Sequence, residues 1–218
     1  MSIKQNVQQI NKNIQEINAN AQLVAVTKYV GEEEMRELLE AGMCHFGENR
    51  VAALREKQSL LEDVSDSIQW HFIGNLQTRA VKDVINQIDY LHSLDRLKLA
   101  KEIQKRANHT IQCFLQVNVS GEESKSGIHP AQIDEIIEQM AAFDKIHING
   151  LMTMAPIDAT DSELQEYFAE LKSLQENIAA KKIPHAPCTE LSMGMSRDYL
   201  IALEEGATYV RIGSALYQ

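Results

Sequence analysis

Lys28 is the residue whose type and position carry the most chemistry. It directly follows the apolar run Leu23–Thr27, so its root stands where a buried strand would end. An ammonium aimed inward from such a position is partly desolvated, and desolvation disfavours its charged form. A partly neutral amine is what Schiff-base chemistry with an aldehyde requires. On position alone, a lysine that merely opens a surface loop fits as well.

Two Gly-Ser segments near the C-terminus offer a second kind of chemistry. Ser192-Met193-Gly194-Met195-Ser196 and Arg211-Ile212-Gly213-Ser214 each place glycine and a hydroxyl after an apolar run and before a helical stretch. Exposed backbone N–H groups at such turns bind phosphate, although Gly-Ser turns also serve simply as helix caps. An amine for an aldehyde and a cradle for a phosphate together describe a holder for pyridoxal 5'-phosphate, attached as an aldimine on Lys28. They equally describe a lysine-dependent aldolase for a phosphosugar. Arg211 bears on the difference in reactivity. An arginine beside a pyridine nitrogen keeps that nitrogen unprotonated by charge repulsion; a salt bridge or a phosphate contact are the other roles open to it.

Other polar residues are weaker candidates. His71, in Trp-His-Phe-Ile-Gly, reads as a core histidine rather than a base, and no histidine spacing suggests a metal site. Lys125 lies between Gly121 and Gly127 and reads as a surface lysine or a second amine near the site. Glu32-Glu33-Glu34 opens a helix, where carboxylates suit the dipole.

These residues need elements to position them. Short apolar runs alternate with amphipathic helical stretches throughout. Strands are predicted over Leu23–Thr27, His45–Gly47, Ile68–Ile73, Tyr90–Ser93, Ile111–Val119, Ile146–Met154, Thr189–Ser192 and Tyr209–Ile212. Helices are predicted over Glu32–Ala41, Asn49–Leu61, Leu76–Asn86, Asp95–Ala107 capped by Asp95, Pro130–Phe143, Asp161–Lys181, Arg197–Glu205 and the stub Ser214–Gln218. Strict alternation implies a parallel sheet with right-handed crossovers. Eight units close most economically into a single (β/α)8 TIM-type barrel. An open doubly wound sheet is the alternative, but no Gly-rich dinucleotide or P-loop turn follows any strand. An extra N-terminal helix over residues 1–20, with Ile3, Val7, Ile10, Ile14 and Ile17 on one stripe, is expected to lie across the barrel. Residues 1–218 are read as one domain. In a barrel the strand ends would bring Lys28, Asn49, Ser192–Ser196 and Arg211–Ser214 to one mouth.

Composition excludes several classes. The 218 residues carry 21 Lys and Arg against 31 Asp and Glu, a net charge of -10. That balance opposes nucleic-acid binding, which favours a basic stripe. No apolar run spans a bilayer, and the N-terminus lacks a secretory signal. Cys44, Cys113 and Cys188 stand too far apart for a zinc motif. A reduced, cytoplasmic protein is expected.

Longer motifs then narrow the field. Ala25–Lys28, Phe46–Arg50, Trp70–Gln77, Lys125–Ile128, Gly150–Pro156, Leu191–Tyr199 and Val210–Gln218 stand in the order found in the YggS/PROSC family of pyridoxal-phosphate homeostasis proteins, which the chain resembles. The resemblance implies an alanine-racemase-like barrel (PLP fold type III). It implies cofactor held as an aldimine by Lys28, and phosphate held by Ser192, Gly194, Met195, Ser196, Arg211, Gly213 and Ser214, with Asn49 nearby. It also implies a role in vitamin B6 balance without established turnover, with recipient PLP-dependent apo-enzymes as partners. The N-terminal stripe allows a dimer without demanding one, so a monomer or weak dimer is expected. Departures include Arg50, where an aromatic is commoner, and Ser214 in place of threonine. The rival enzyme is an amino-acid racemase of the same barrel type, which needs a second proton-transfer residue brought by a further domain that the barrel is expected to leave no chain for.

Overall fold

The computed structural model describes residues 2–122 and 126–218. Eight parallel strands close into a barrel in the order β1 to β8. They are β1 (Gln22–Val26), β2 (His45–Glu48), β3 (Gln69–Phe72), β4 (Tyr90–Leu94), β5 (Ile111–Gln116), β6 (Ile146–Met152), β7 (Glu190–Ser192) and β8 (Tyr209–Ile212). The predicted barrel is thus the observed one, and the open sheet is not formed. Helices α1 (Ile3–Asn18), α2 (Glu32–Glu40), α3 (Val51–Leu60), α4 (Val81–Val84), α5 (Leu97–Arg106), α6 (Ile133–Gln139), α7 (Asp161–Ala179), α8 (Tyr199–Glu204) and α9 (Ser214–Tyr217) surround it.

Alternation along each strand divides the interior. Leu23, Ala25, Phe46, Phe72, Leu91 and Leu115 join the apolar layer beneath the helices. The opposite faces fill the lumen, and there the composition is unusual. Such lumens are dominated by branched apolar residues, yet this one holds His71, His92, Ser192 and Arg211, all buried. Closure on one side depends on Gly150: a Cβ there would lie 1.8 Å from the Glu190 carbonyl oxygen, so only glycine lets β6 and β7 pair.

α1 lies against α2, α8 and α9, burying Val7, Ile10 and Ile14. The stripe ends there, because Ile17 is 39% exposed. Asn6 ties the helix to the end of the chain, its amide donating to the Leu216 oxygen at 3.0 Å and the Gln218 oxygen at 2.9 Å.

Three expectations need correction. Asp95 does not cap α5, which starts at Leu97 with Arg96 at the cap position; the Asp95 carboxylate instead pairs with the Arg96 guanidinium. The stretch read as one helix from Leu76 to Asn86 is a 3-10 turn (Thr78–Ala80), the short α4 and a second 3-10 turn (Ile85–Gln87). Val81, Val84, Ile85 and Ile88 are buried at i, i+3, i+4 and i+7, a helical stripe, while Leu76, also buried, falls outside it; the two 3-10 turns flank the one short α-helical segment. Likewise, Pro130–Gln132 is 3-10 and α6 begins only at Ile133, with the His129 imidazole accepting from the Ala131 amide at 3.2 Å.

Candidate functional site

The C-terminal ends of β1, β7 and β8 converge at the barrel mouth. β8 pairs with β1 through Ala25 and Ile212, and with β7 through Ser192 and Tyr209. After β7 the chain turns sharply at Gly194, whose φ is +94°. A side chain there would also strike Ala202, whose Cβ would be 2.6 Å away, so glycine is required both for conformation and for space. The Gly194 carbonyl accepts from the Arg211 amide at 2.9 Å, locking the turn to β8.

Ser196 joins the two Gly-Ser segments. Its Oγ accepts from the Gly213 amide at 3.2 Å and the Ala215 amide at 3.3 Å. Two backbone donors therefore converge on one oxygen, which is the arrangement a phosphate oxygen would use. Met195 does not contribute its amide to this cradle. That N–H donates to Asp198 Oδ1 at 2.6 Å, so Met195 belongs to the turn's own closure and not to the donors that converge on Ser196. Ser214 is exposed at the start of α9, and Asn49 is half-buried just beyond β2.

Lys28 stands in the turn after β1, at the same end of the barrel, but its ammonium does not point inward. The residue is exposed, with Nζ 4.8 Å from the centroid of the Tyr29 ring. Stacking over an aromatic face leaves a cation hydrated, whereas burying it unpaired is costly. The inward, desolvated amine expected from sequence is thus replaced by an outward one. Lys125 lies outside the described residues.

Beneath Lys28 is a buried charge cluster. Lys57 of α3 donates to Glu48 Oε1 at 2.5 Å and to the Thr27 carbonyl oxygen, while Thr27 Oγ1 donates to Glu48 Oε1 at 2.5 Å. Glu48 is fully buried, and its Oε2 has no hydrogen-bond partner among the described residues. Lys57 went unnoticed in the sequence. The available signal was its i,i+3 spacing from Leu54, the other buried residue of α3.

Arg211 crosses the lumen. Its Nη1 donates to Ser192 Oγ at 2.5 Å and its Nη2 to the Thr153 carbonyl at 3.0 Å. Among the described residues no carboxylate lies within ion-pair distance of it, which leaves the salt-bridge alternative without support. Burial lowers its pKa to about 10, with Asp198 opposing the shift, so it stays cationic at neutral pH.

Below Arg211 stands a file of imidazoles. His92 Nδ1 is 2.7 Å from Ser192 Oγ, His71 Nδ1 is 2.8 Å from His92 Nε2, and His45 Nδ1 is 2.9 Å from His71 Nε2. His71 is a partnered core histidine, as its sequence context suggests. Burial pushes His71 and His92 well below the ordinary histidine pKa, with neighbouring positive charge adding to the effect. Protons that these two refuse in the fold bind once the chain unfolds. Stability is therefore full above the unfolded value near ~6.5 and falls as pH drops below it. The slope approaches about 1.4 kcal/mol per pH unit for each residue. Urea midpoints should fall steeply between about pH 7 and pH 5; a flat profile would show that the pair is not held neutral.

A cavity of about 350 Å³ opens at the mouth between Ile73, Asn75, Gln116, Met154 and Met195. A second, of about 400 Å³, lies around Trp70, Asp89 and His109 and contains none of the candidate residues. Among the described residues no group of three His, Cys, Asp or Glu is arranged to hold a metal ion, and no helix is long and apolar enough to cross a membrane.

Comparison with known proteins agrees with this geometry. The model of the alanine racemase N-terminal domain matches residues 1–218. A pyridoxal phosphate homeostasis protein of Aquifex aeolicus is 40% identical over 202 residues, covering 90% of this chain and 86% of that one. One from Pasteurella multocida is 34% identical over 219 residues, covering 99% and 93%. PipY of Synechococcus elongatus PCC7942, solved with PLP bound, superposes with a TM-score of 0.91 at 31% identity, covering 100% of both chains. Alanine racemase from Corynebacterium glutamicum shares the fold, with a TM-score of 0.76 at 16% identity over 98% of this chain and 61% of that one.

Proposed function

The chain belongs to the family of pyridoxal phosphate homeostasis proteins built on the alanine racemase N-terminal domain, and from that premise we propose that it binds pyridoxal 5'-phosphate at the mouth of the barrel and holds it for supply rather than for turnover. The observation that carries this reading is the meeting of three strand ends: a lysine after β1, a two-donor oxygen cradle between the turns after β7 and β8, and an arginine cation in the lumen between them. When bound, the cofactor supplies an aldehyde that condenses with amines.

Lys28 is the attachment point. Its stem is exposed, with Nζ over the Tyr29 ring and no hydrogen bond or ion pair to another described residue, so it can swing over the mouth. Gly213, Ala215 and Ser196 receive the phosphate, with the Ser196 hydroxyl turning aside to release the two amides or staying as a further donor. Arg211 presents its guanidinium towards the ring, where a second positive charge on the ring nitrogen is disfavoured. With that cation in the lumen, the residues here would hold the cofactor without helping to break a Cα–H bond.

An open rim suits a carrier. Tyr29 and Ile157 are 87% and 88% exposed at the mouth, leaving a free amine or a recipient apo-enzyme a path to Lys28. The stripe of α1 is covered by the chain's own α8 and α9, which favours a monomer or weak dimer, with residues 1–218 acting as one domain.

Gel filtration after loading with pyridoxal phosphate tests the site. The protein should elute yellow. Gly213→Asp puts a carboxylate where the amides meet a dianion, and retention should fall at least ~10-fold, the equivalent of about 1.4 kcal/mol. Lys28 should still react in that variant at high aldehyde concentration. Unchanged retention would remove the Arg211–Ser214 segment from the site.

A further inference from the structure

The imidazole file does more than fill the lumen. A neutral imidazole has one N–H and one lone pair. In each nitrogen-to-nitrogen contact one ring must donate and the other accept. His71 and His92 use both nitrogens, at 2.9 and 2.8 Å for His71 and at 2.8 and 2.7 Å for His92. Fixing the tautomer of either ring therefore fixes the other, and only two arrangements exist. In one, the Ser192 hydroxyl donates to His92, and His92, His71 and His45 all carry the proton on Nε2. In the other, every proton sits on Nδ1, and His92 donates to Ser192 Oγ.

We propose that His45, His71 and His92 are positioning residues forming one directional relay, which sets whether the Ser192 hydroxyl proton is held downward or is free to face the barrel mouth beneath Arg211. The guanidinium decides the resting sense. Arg211 Nη1 donates to Ser192 Oγ in both arrangements, and a hydroxyl that accepts a charge-assisted bond becomes a better donor. The resting relay thus runs downward, with all three rings protonated on Nε2. Its lower end is at His45, the first residue of β2 and the one imidazole of the file that is not completely buried, at 8% exposure.

The relay is a property of the protein's own residues. Its bearing on a bound ring rests on the cofactor reading above, and its test on cofactor-free protein stands apart from that reading. With histidine ring nitrogens labelled with ¹⁵N, His45, His71 and His92 should all report the Nε2–H tautomer at neutral pH. In His45→Phe, the His71 Nε2–H loses its acceptor. An unmet buried donor costs more than an unmet acceptor, so the file should reverse. His92, two rings away, should then switch to Nδ1–H. Mixed tautomers among His71 and His92 in the wild-type protein would overturn the proposal, as would Nδ1–H throughout. A folded His45→Phe variant whose His92 keeps its tautomer would do so too. The wild-type spectrum decides the matter if the variant fails to fold.

Discussion

Lys28→Ala should abolish the borohydride-fixed adduct with pyridoxal phosphate while leaving the thermal midpoint unchanged. The two halves of this expectation come from one fact, that Lys28 is exposed in the turn after β1 with its ammonium over the Tyr29 ring. Removing it deletes no core packing, and surface substitutions of this kind usually stay within about 0.5 kcal/mol. Lys57, which reaches the Thr27 carbonyl next to Lys28, does not compete on equal terms. Lys57 is engaged by Glu48 and the Thr27 carbonyl and is 7% exposed. Peptide mapping of the reduced protein reads the outcome. A persistent adduct in Lys28→Ala, on Lys125 or any other lysine, would reassign the attachment point.

The second large effect lies one layer below. Lys57→Met should destabilise the fold by about 3–5 kcal/mol, the range for removing one partner of a buried ion pair. Glu48 is fully buried, its Oε2 already lacks a partner, and Lys57 is the only cation in ion-pair contact with it among the described residues. Without that cation the carboxylate is left unpaired in the core. The double variant Lys57→Met with Glu48→Gln removes the stranded charge and should recover most of the loss. Urea unfolding measures both. A loss below about 1 kcal/mol in the single variant would mean that the pair contributes little. The variant should also loosen the turn that presents Lys28, because Lys57 anchors the Thr27 carbonyl.

Much of this architecture was legible in the residues. The alternation of apolar runs with helical stretches gave eight strands in the right places, because each strand's core face and each helix's stripe obey simple periods. It failed between Leu76 and Ile88, where Val81, Val84, Ile85 and Ile88 keep a helical spacing but 3-10 turns flank a short α-helical segment, because periodicity alone does not tell the two helix types apart. The convergence of Lys28, Ser196 and Gly213 followed from placing them at strand ends. Where the Lys28 ammonium points did not follow, since position along a chain says nothing of rotamer and Tyr29 is its immediate neighbour. The imidazole file was also hidden. His45, His71 and His92 are far apart in sequence and sit on three adjacent strands, so only strand pairing and register bring their rings together. The commitment of the Met195 amide to Asp198 was equally invisible, being a local turn choice that either partner could have made differently.

The proposal that this chain would hold its cofactor without turning over amino acids is tested most directly by α-proton exchange. The yellow, loaded protein is incubated with L-alanine and other L-amino acids in deuterated water, and deuterium incorporation and chirality are followed. If the bound ring faces the Arg211 cation, Cα–H cleavage would gain little stabilisation, and exchange should stay far below ~1 s⁻¹, the low end for enzymes. Exchange at that rate or faster, with loss of chirality, would contradict the account and make the protein a racemase.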